Sequence, residues 1–279
     1  MKKLKEILKD KLSEKEMKLV KAGFDIIGSR EKAVAIVEIP EELEEKKFLI
    51  ASAISQLNKN VKSVLRKLTE RKGELRLREF ELLAGDSNTE VLHKECGYIL
   101  KLDPQKVYFS PREAEERMRI ASFVQPGELV LVMFSGIAPF CIAIAKKQPE
   151  VEKVYGIEIN FFAHKYAEEN VRINKLSHKI VLINGDVREA CKRYVGYFDR
   201  IVMPLPLGAE NFLEIAIKCL KQKGFIHFYS WGEEKDPYSN ALKAVEAAAK
   251  RYRIISKKLV LPYAPRKWKV CLDVEIFNQ

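Results

Sequence analysis

The sequence predicts an α/β protein, a doubly wound and mostly parallel sheet preceded by a smaller α+β module. Three observations carry this. From about residue 111, apolar runs rich in Val and Ile alternate with stretches of helical period, the pattern of a parallel sheet. The first 110 residues do not alternate in this way. The first apolar run of the second part ends in a small-residue turn, Ser135-Gly136, that opens into a helix, as where such sheets bind nucleotides.

In the first part, "MKKLKEILKDKL" has no apolar core like a signal peptide's and reads as an amphipathic helix with Leu4, Ile7, Leu8 and Leu12 inward. "FDIIGSREKAVAIVEIP" reads as two strands around a charged turn, and residues 41–58 as a helix. "VKSVLRKL", "ELRLREFELLAG" and "YILKLDPQKVYF" read as short strands. The boundary falls near 105–112, giving domains at 1–110 and 111–279.

In the second part, strands are expected at 129–134, 154–159, 180–184, 200–203 and 224–230, with helices at 113–123, 138–147, 161–172, 188–195, 208–221 and 237–251. The closing "RIISKKLVLPYAPRKWKVCLDVEIF" reads as two strands around a Pro-containing turn, the last antiparallel. Residues 129–145 carry no charge over 17 positions, the lower limit for a membrane span. Gly136 and Pro139 interrupt them, so they read as strand, turn and helix.

The 279 residues are 47% hydrophobic and 32% charged. So charged a surface suits the ion-pair networks that hot habitats favour. A net charge of +11 points to a polyanionic partner. Cys96, Cys141, Cys191, Cys219 and Cys271 are odd in number and lack CxxC spacing, so neither a zinc site nor a disulfide framework is expected. Cys141, Cys219 and Cys271 lie in apolar runs and read as core residues.

Four strand ends carry candidate chemistry. "LVMFSGIAPF" places Phe134, Ser135 and Gly136 at the first, with a single Gly and no P-loop lysine. "VYGIEIN" ends in Glu158 with Asn160 two residues on. An acidic residue there, about 20 residues after the turn, accepts ribose hydroxyls; the alternative is a helix cap. "LINGDVREA" places Asp186 and Val187 at the third end, Asp186 suiting an adenine amino group or, equally, a cap. "VMPLPLGAENFLEIA" ends the fourth strand on Pro204 and Pro206. Neither presents an N–H, so they form either a rigid rim beside the reacting atom of a cofactor or only a stiff turn. Residues 59–78 hold Lys59, Lys62, Arg66, Lys67, Arg71, Lys72, Arg76 and Arg78 against Glu70 and Glu74, a run suited to phosphates.

From about residue 24 onward the chain resembles the archaeal and eukaryotic tRNA (guanine-37-N1)-methyltransferases and their wyosine-pathway relatives. "VYFSPREAEERMRIA", "MFSGIAPF", "GIEIN", "GDVRE", "MPLP…AENFLEIA" and "GFIHFY" carry the resemblance. It implies a Rossmann-like class I fold binding S-adenosylmethionine, and a monomeric cytoplasmic enzyme acting on the purine at position 37 of tRNA, with the phenylalanine tRNA the expected acceptor. Glu116 then matches a general base with Arg117 beside it, Arg76 an arginine supporting the transition state, and Tyr108 an aromatic at the target base. Arg112 joins the phosphate-binding residues. Phe134, Ser135, Gly136, Glu158, Asn160, Asp186, Val187 and Pro204 match the cofactor's surroundings, and no metal is implied.

Three positions depart from the family pattern: Val132 stands for an Asp, Ala138 for a Gly and Pro204 for an Asn. Archaeal relatives with Pro at that position methylate C7 of 4-demethylwyosine, some of them guanosine as well. Pro204 therefore favours 4-demethylwyosine, with guanosine-37 N1-methylation as the alternative. "MPLP" argues against an aminocarboxypropyl transferase. Val132 and Ala138 leave open a tRNA-binding protein without catalysis. Full-length relatives carry a small N-terminal domain that reads the tRNA elbow. The roughly 20 residues before "FDIIG" are too few for it, so recognition is expected to rest on the anticodon stem–loop.

Overall fold

The computed structural model describes every residue except 1–3, 22, 71, 72, 74, 76 and 279. It divides into two units, Met1–Pro111 and Arg112–Gln279.

In the first unit, α1 (Leu4–Leu8) and α2 (Glu14–Leu19) are short. A capping box between Ser13 and Glu16 starts α2, satisfying amide groups that the first turn leaves open. β1 (Asp25–Gly28) pairs antiparallel with β2 (Ala33–Val37). α3 (Lys47–Leu57) then crosses to β3 (Val61–Lys67), which runs parallel to β2. β4 (Phe80–Gly85) pairs antiparallel with β3, giving the order β1-β2-β3-β4. Leu4, Leu8 and Leu12 turn inward as their spacing requires, onto Ile50, Ile54, Val64 and Leu83. β5 (Val91–Glu95) and β6 (Tyr98–Leu102) form a hairpin.

The second unit opens with α4 (Ala114–Phe123), followed by β7 (Leu129–Met133), α5 (Pro139–Lys147), β8 (Lys153–Glu158), α6 (Phe161–Ile173) and β9 (Ile180–Asn184). After them come α7 (Val187–Ala190), β10 (Phe198–Met203), α8 (Leu213–Cys219), β11 (Leu220–Glu233), α9 (Ser239–Ala248), β12 (Tyr252–Ala264) and β13 (Lys267–Phe277). The sheet order is β12-β13-β11-β10-β7-β8-β9. β9, β8, β7, β10 and β11 are parallel, and β13 is antiparallel to β11. The doubly wound sheet and its antiparallel last strand are therefore as the sequence reads.

β8 and β9 lie to one side of β7, while β10 and β11 lie to the other. The order reverses between β7 and β10, which makes the crevice at their carboxyl ends the place for a ligand. On one face Met203, Ile226, Phe228 and Leu272 pack with Leu213 and Val245 of α8 and α9. Residues 129–145 form strand, turn and helix, and among the described residues no helix is long and apolar enough to cross a membrane. Two expected helices are shorter than read. Residues 188–195 give only the last residues of α7 and a 3-10 turn at Cys191–Arg193. Leu220, expected in a helix, already pairs with Phe198 as the start of β11.

Candidate active site

β7 leaves the sheet at Met133, and the next turn concentrates unusual backbone. Phe134 (φ 56), Gly136 (φ 56) and Ala138 (φ 65) all adopt the left-handed region. For Phe and Ala this costs about 1–2 kcal/mol each, strain that gathers where backbone is shaped around a ligand. The φ of Ala138 also explains why a glycine suits that position. Val132 is wholly buried between Gly156 and Val202, so hydrocarbon packs where the resemblance expects a carboxylate.

Glu158 holds the turn. Its Oε2 accepts from the Gly136 N–H at 2.7 Å and its Oε1 from the Asn160 N–H at 2.8 Å. Burial raises the Glu158 pKa above its usual range, against the opposing pull of these two amides. Ser135 is buried, and its hydroxyl has no hydrogen-bond partner. That hydroxyl lies 3.0 Å from where a Cβ on Gly156 would stand, so Gly156 makes room for it. An orphaned hydroxyl, a strained turn and a carboxylate with lone pairs left over fit the ribose and methionine portions of S-adenosylmethionine.

The other expected cofactor residues are placed as follows. Asn160 is the N-cap of α6, its side-chain oxygen accepting from the Phe162 and Ala163 N–H groups. Asp186 caps α7 through the Arg188 N–H at 2.7 Å and is ion-paired with the Arg188 side chain, which holds its pKa below the usual range. Both residues thus serve as caps: for Asp186 this is the alternative that the sequence left open, whereas at the second strand end the sequence offered Glu158 as the cap and the cap is Asn160. Val187 is a core residue. Phe134 packs edge-on against Phe212, with ring centroids 4.9 Å apart. Pro204 follows Met203, and Met203 pairs with Phe228, so Pro204 stands level with Tyr229 at the crevice.

Glu116 lies on α4 and is only 6% exposed. Arg119 grips it in two places, Nε to Oε2 and Nη2 to Oε1, both at 2.8 Å. The Tyr229 hydroxyl donates to Oε1 at 2.6 Å. Arg119 also reaches Asp273 at 2.6 Å. Asp273 accepts from His227 Nδ1 at 2.6 Å and from the Ser256 hydroxyl. Although burial alone would raise the Asp273 pKa, these donors hold it well below the usual carboxylate range. Arg200 donates to His227 Nε2 at 2.9 Å and is paired with Glu128. Sequence reasoning missed Arg119, Tyr229, His227 and Asp273. The i,i+3 spacing of Glu116 and Arg119 was a signal, but nothing local marks Asp273. His227, Cys271 and Asp273 bring ligand atoms within 4.8 Å of one another. The two guanidiniums beside them repel a cation.

Arg117 is buried and Arg112 exposed, and Tyr108 is half-buried in the first unit. Arg71, Lys72 and Arg76 lie outside the described residues. Lys59 and Lys62 are exposed, while Lys67 and Arg78 are half-buried. Arg66 is a correction to the expected phosphate-binding run, because its side chain turns inward. It is 7% exposed, pairs with Glu44 and donates to the Ile39 carbonyl at 3.1 Å. An arginine buried in this way needs a carboxylate beside it. Cys96 is exposed, and the other four cysteines are buried and unbridged.

Residues 91–256 match the family model for the TRM5/TYW2 methyltransferase domain, and residues 4–89 that for the TYW2 N-terminal domain. The chain is 43% identical to the tRNA (guanine(37)-N(1))-methyltransferase Trm5b of Pyrococcus abyssi, over 91% of this chain and 74% of that one. It is 34% identical to the tRNA 4-demethylwyosine(37)-methyltransferase Taw21 of Saccharolobus solfataricus, over 85% of this chain and 86% of that one. The solved complex of aTrm5 with tRNALeu superposes with a TM-score of 0.86 at 36% identity, over 99% of this chain and 78% of that one. The strained turn, the Glu158 clasp and these matches agree: the chain belongs to the TRM5/TYW2 family of S-adenosylmethionine-dependent tRNA methyltransferases.

Proposed function

We propose that the protein methylates the purine at position 37 of tRNA, and that 4-demethylwyosine, methylated at C7, is its preferred base. The observation that carries the preference is Pro204. It directly follows the last residue of β10 at the crevice, where it offers a flat apolar wall and no donor. That wall suits a third ring and leaves the polar edge of guanine unpaired, which disfavours guanosine. The 34% identity to the Taw21 relative supports this reading. Guanosine-37 N1-methylation is the second reading, favoured by the 43% identity to Trm5b.

S-adenosylmethionine, when bound, supplies an electrophilic methyl group. The chain's own residues do the rest. Glu158, Ser135 and Gly136 hold the nucleoside end. Glu116 takes the proton that the target atom loses as the new bond to carbon forms, from C7 of the tricyclic base or N1 of guanosine. Tyr108 serves the target base, Arg76 and Arg117 support the developing charge, and the exposed lysines of the first unit hold phosphates.

The test is methyl incorporation into anticodon stem–loops or whole phenylalanine tRNA carrying guanosine, 1-methylguanosine or 4-demethylwyosine at position 37. Label in the methyl group is expected in the 4-demethylwyosine tRNA first. Transfer to guanosine alone establishes the second reading. Uptake of label from the cofactor's carboxyl carbon instead identifies aminocarboxypropyl transfer, and no uptake with intact tRNA binding identifies a non-catalytic protein.

A further inference from the structure

The proposal rests on the reading of Glu116 as the base. A carboxylate gripped at two points by an arginine, and accepting a third hydrogen bond besides, is ordinarily a weak base, because each donor favours its charged form. Glu116 is in that position, yet the structure gives Arg119 a second carboxylate. Its Nη1 lies 2.6 Å from Asp273 Oδ2, and its Nη2 3.4 Å from Oδ1. Two buried carboxylates thus share one guanidinium. Asp273 is itself fixed by His227 and Ser256, and Arg200 holds His227 from its other side.

We infer that Asp273 and Tyr229 are positioning residues that set the basicity of Glu116 in opposite directions. Asp273 competes for Arg119 and repels the Glu116 charge, which makes Glu116 readier to accept a proton. Once Glu116 is neutral, Arg119 keeps a full partner in Asp273, so no buried charge is left unpaired. Tyr229 acts the other way. Its hydroxyl favours the charged form and aims Oε1 from a strand position level with Pro204. The groups facing Glu116 are Arg119 from its own helix, Tyr229 from β11, and Asp273 with Cys271 from β13. Beyond them Lys269 lies 4.8 Å over the Tyr229 ring and is neutralised by Glu113 at 2.8 Å. α5, which packs against α4, presents Phe140 to Tyr229, while its Lys146 and Lys147 are exposed.

The experiment is single-turnover methyl transfer from pH 5 to 9, at saturating cofactor, into the best of the three acceptor tRNAs. Activity requires the Glu116 carboxylate in its charged form, so a neighbour that favours or opposes that form moves the acid limb of the profile. Tyr229→Phe removes a donor to the charged form and is expected to move the limb up by about one pH unit. Asp273→Asn removes a repelling charge and is expected to move it down by about one unit, with a slower rate at the optimum. Glu116→Gln, with cofactor affinity kept, is expected to lose about 100-fold or more. If Glu116→Gln keeps its activity, the base reading itself falls and the proposal with it. If Glu116→Gln is inactive but both limbs stay put or move together, the proposal fails while the base reading stands. Should Asp273→Asn fail to melt cooperatively, the Tyr229→Phe limb decides alone.

Discussion

Glu158 shows how one side chain can fix a turn and still serve a ligand. A carboxylate has about four lone-pair sites, and the Gly136 and Asn160 amides use two of them. Glu158→Gln leaves one accepting oxygen where two are needed. Cofactor binding should weaken by about 1.5–3 kcal/mol, roughly ten- to a hundredfold. An unchanged dissociation constant in titration calorimetry would remove Glu158 from the ribose. Pro204 is the other decisive residue. Pro204→Asn supplies an amide to a purine edge, so transfer to the 4-demethylwyosine tRNA should fall relative to transfer to the guanosine tRNA. A ratio of the two activities unmoved by Pro204→Asn would reduce the two prolines to a stiff turn. Both positions were legible in the sequence because each closes an apolar run. The cap role of Asp186 was legible only as an alternative, since one residue type at one spacing serves either purpose, and for α6 the sequence offered Glu158 as the cap and not Asn160.

The strands hide what the residue types alone do not reveal. His227 lies on β11 between Arg200 and Asp273. Arg200 cannot give up its charge, so Nε2 must accept and Nδ1 must donate. Burial lowers the His227 pKa, Asp273 pulling the other way and Arg200 adding to the lowering. Its folded pKa is thus below the unfolded value of about 6.5. The stability it contributes is full above that pH and is lost as pH falls below it. His164 is lowered as well, mainly by burial. His227→Gln should therefore flatten, without abolishing, the fall in urea-unfolding free energy between pH 6.5 and 5. An equally steep fall would show that His227 takes up its proton in the folded protein. This network lay beyond sequence reading because its partners are far apart in the chain, Arg119 and Asp273 being 154 positions apart. β5, "VLHKE", was missed for a local reason: its three polar residues out of five conceal the alternation that burial shows. β7 and β10 were legible, since strands buried on both faces read as unbroken apolar runs.

The whole molecule carries a net charge of +11, and the question is which cations meet the polyanion. The run at 59–78 read as one basic stretch. Alternation alone would put Lys62 and Arg66 on one face, but the pairing of β3 with β4 shifts register between Val64 and Leu65, and Lys62 is exposed while Arg66 is buried with Glu44 and Glu81. Charge count alone therefore overstates the binding surface. Lys59 and Lys62 are the exposed cations to remove, and Arg66 is the internal control. Lys59→Gln with Lys62→Gln should reduce the slope of log affinity for tRNA against log salt by about 1–2, one phosphate contact being worth about 0.7–0.9. The loss should be the same whichever base stands at position 37, because phosphates carry no base identity. Cofactor affinity should be unchanged, since Glu158 and the Ser135 turn belong to the other unit. Arg66→Gln should act differently: it leaves Glu44 and Glu81 to Lys47 alone and takes the guanidinium from the Ile39 carbonyl, lowering the melting temperature while leaving the salt slope nearly as it was. A full slope in the double lysine variant, or a reduced one in Arg66→Gln with an unchanged melting temperature, would move the phosphate contacts off the face where β3 exposes Lys62.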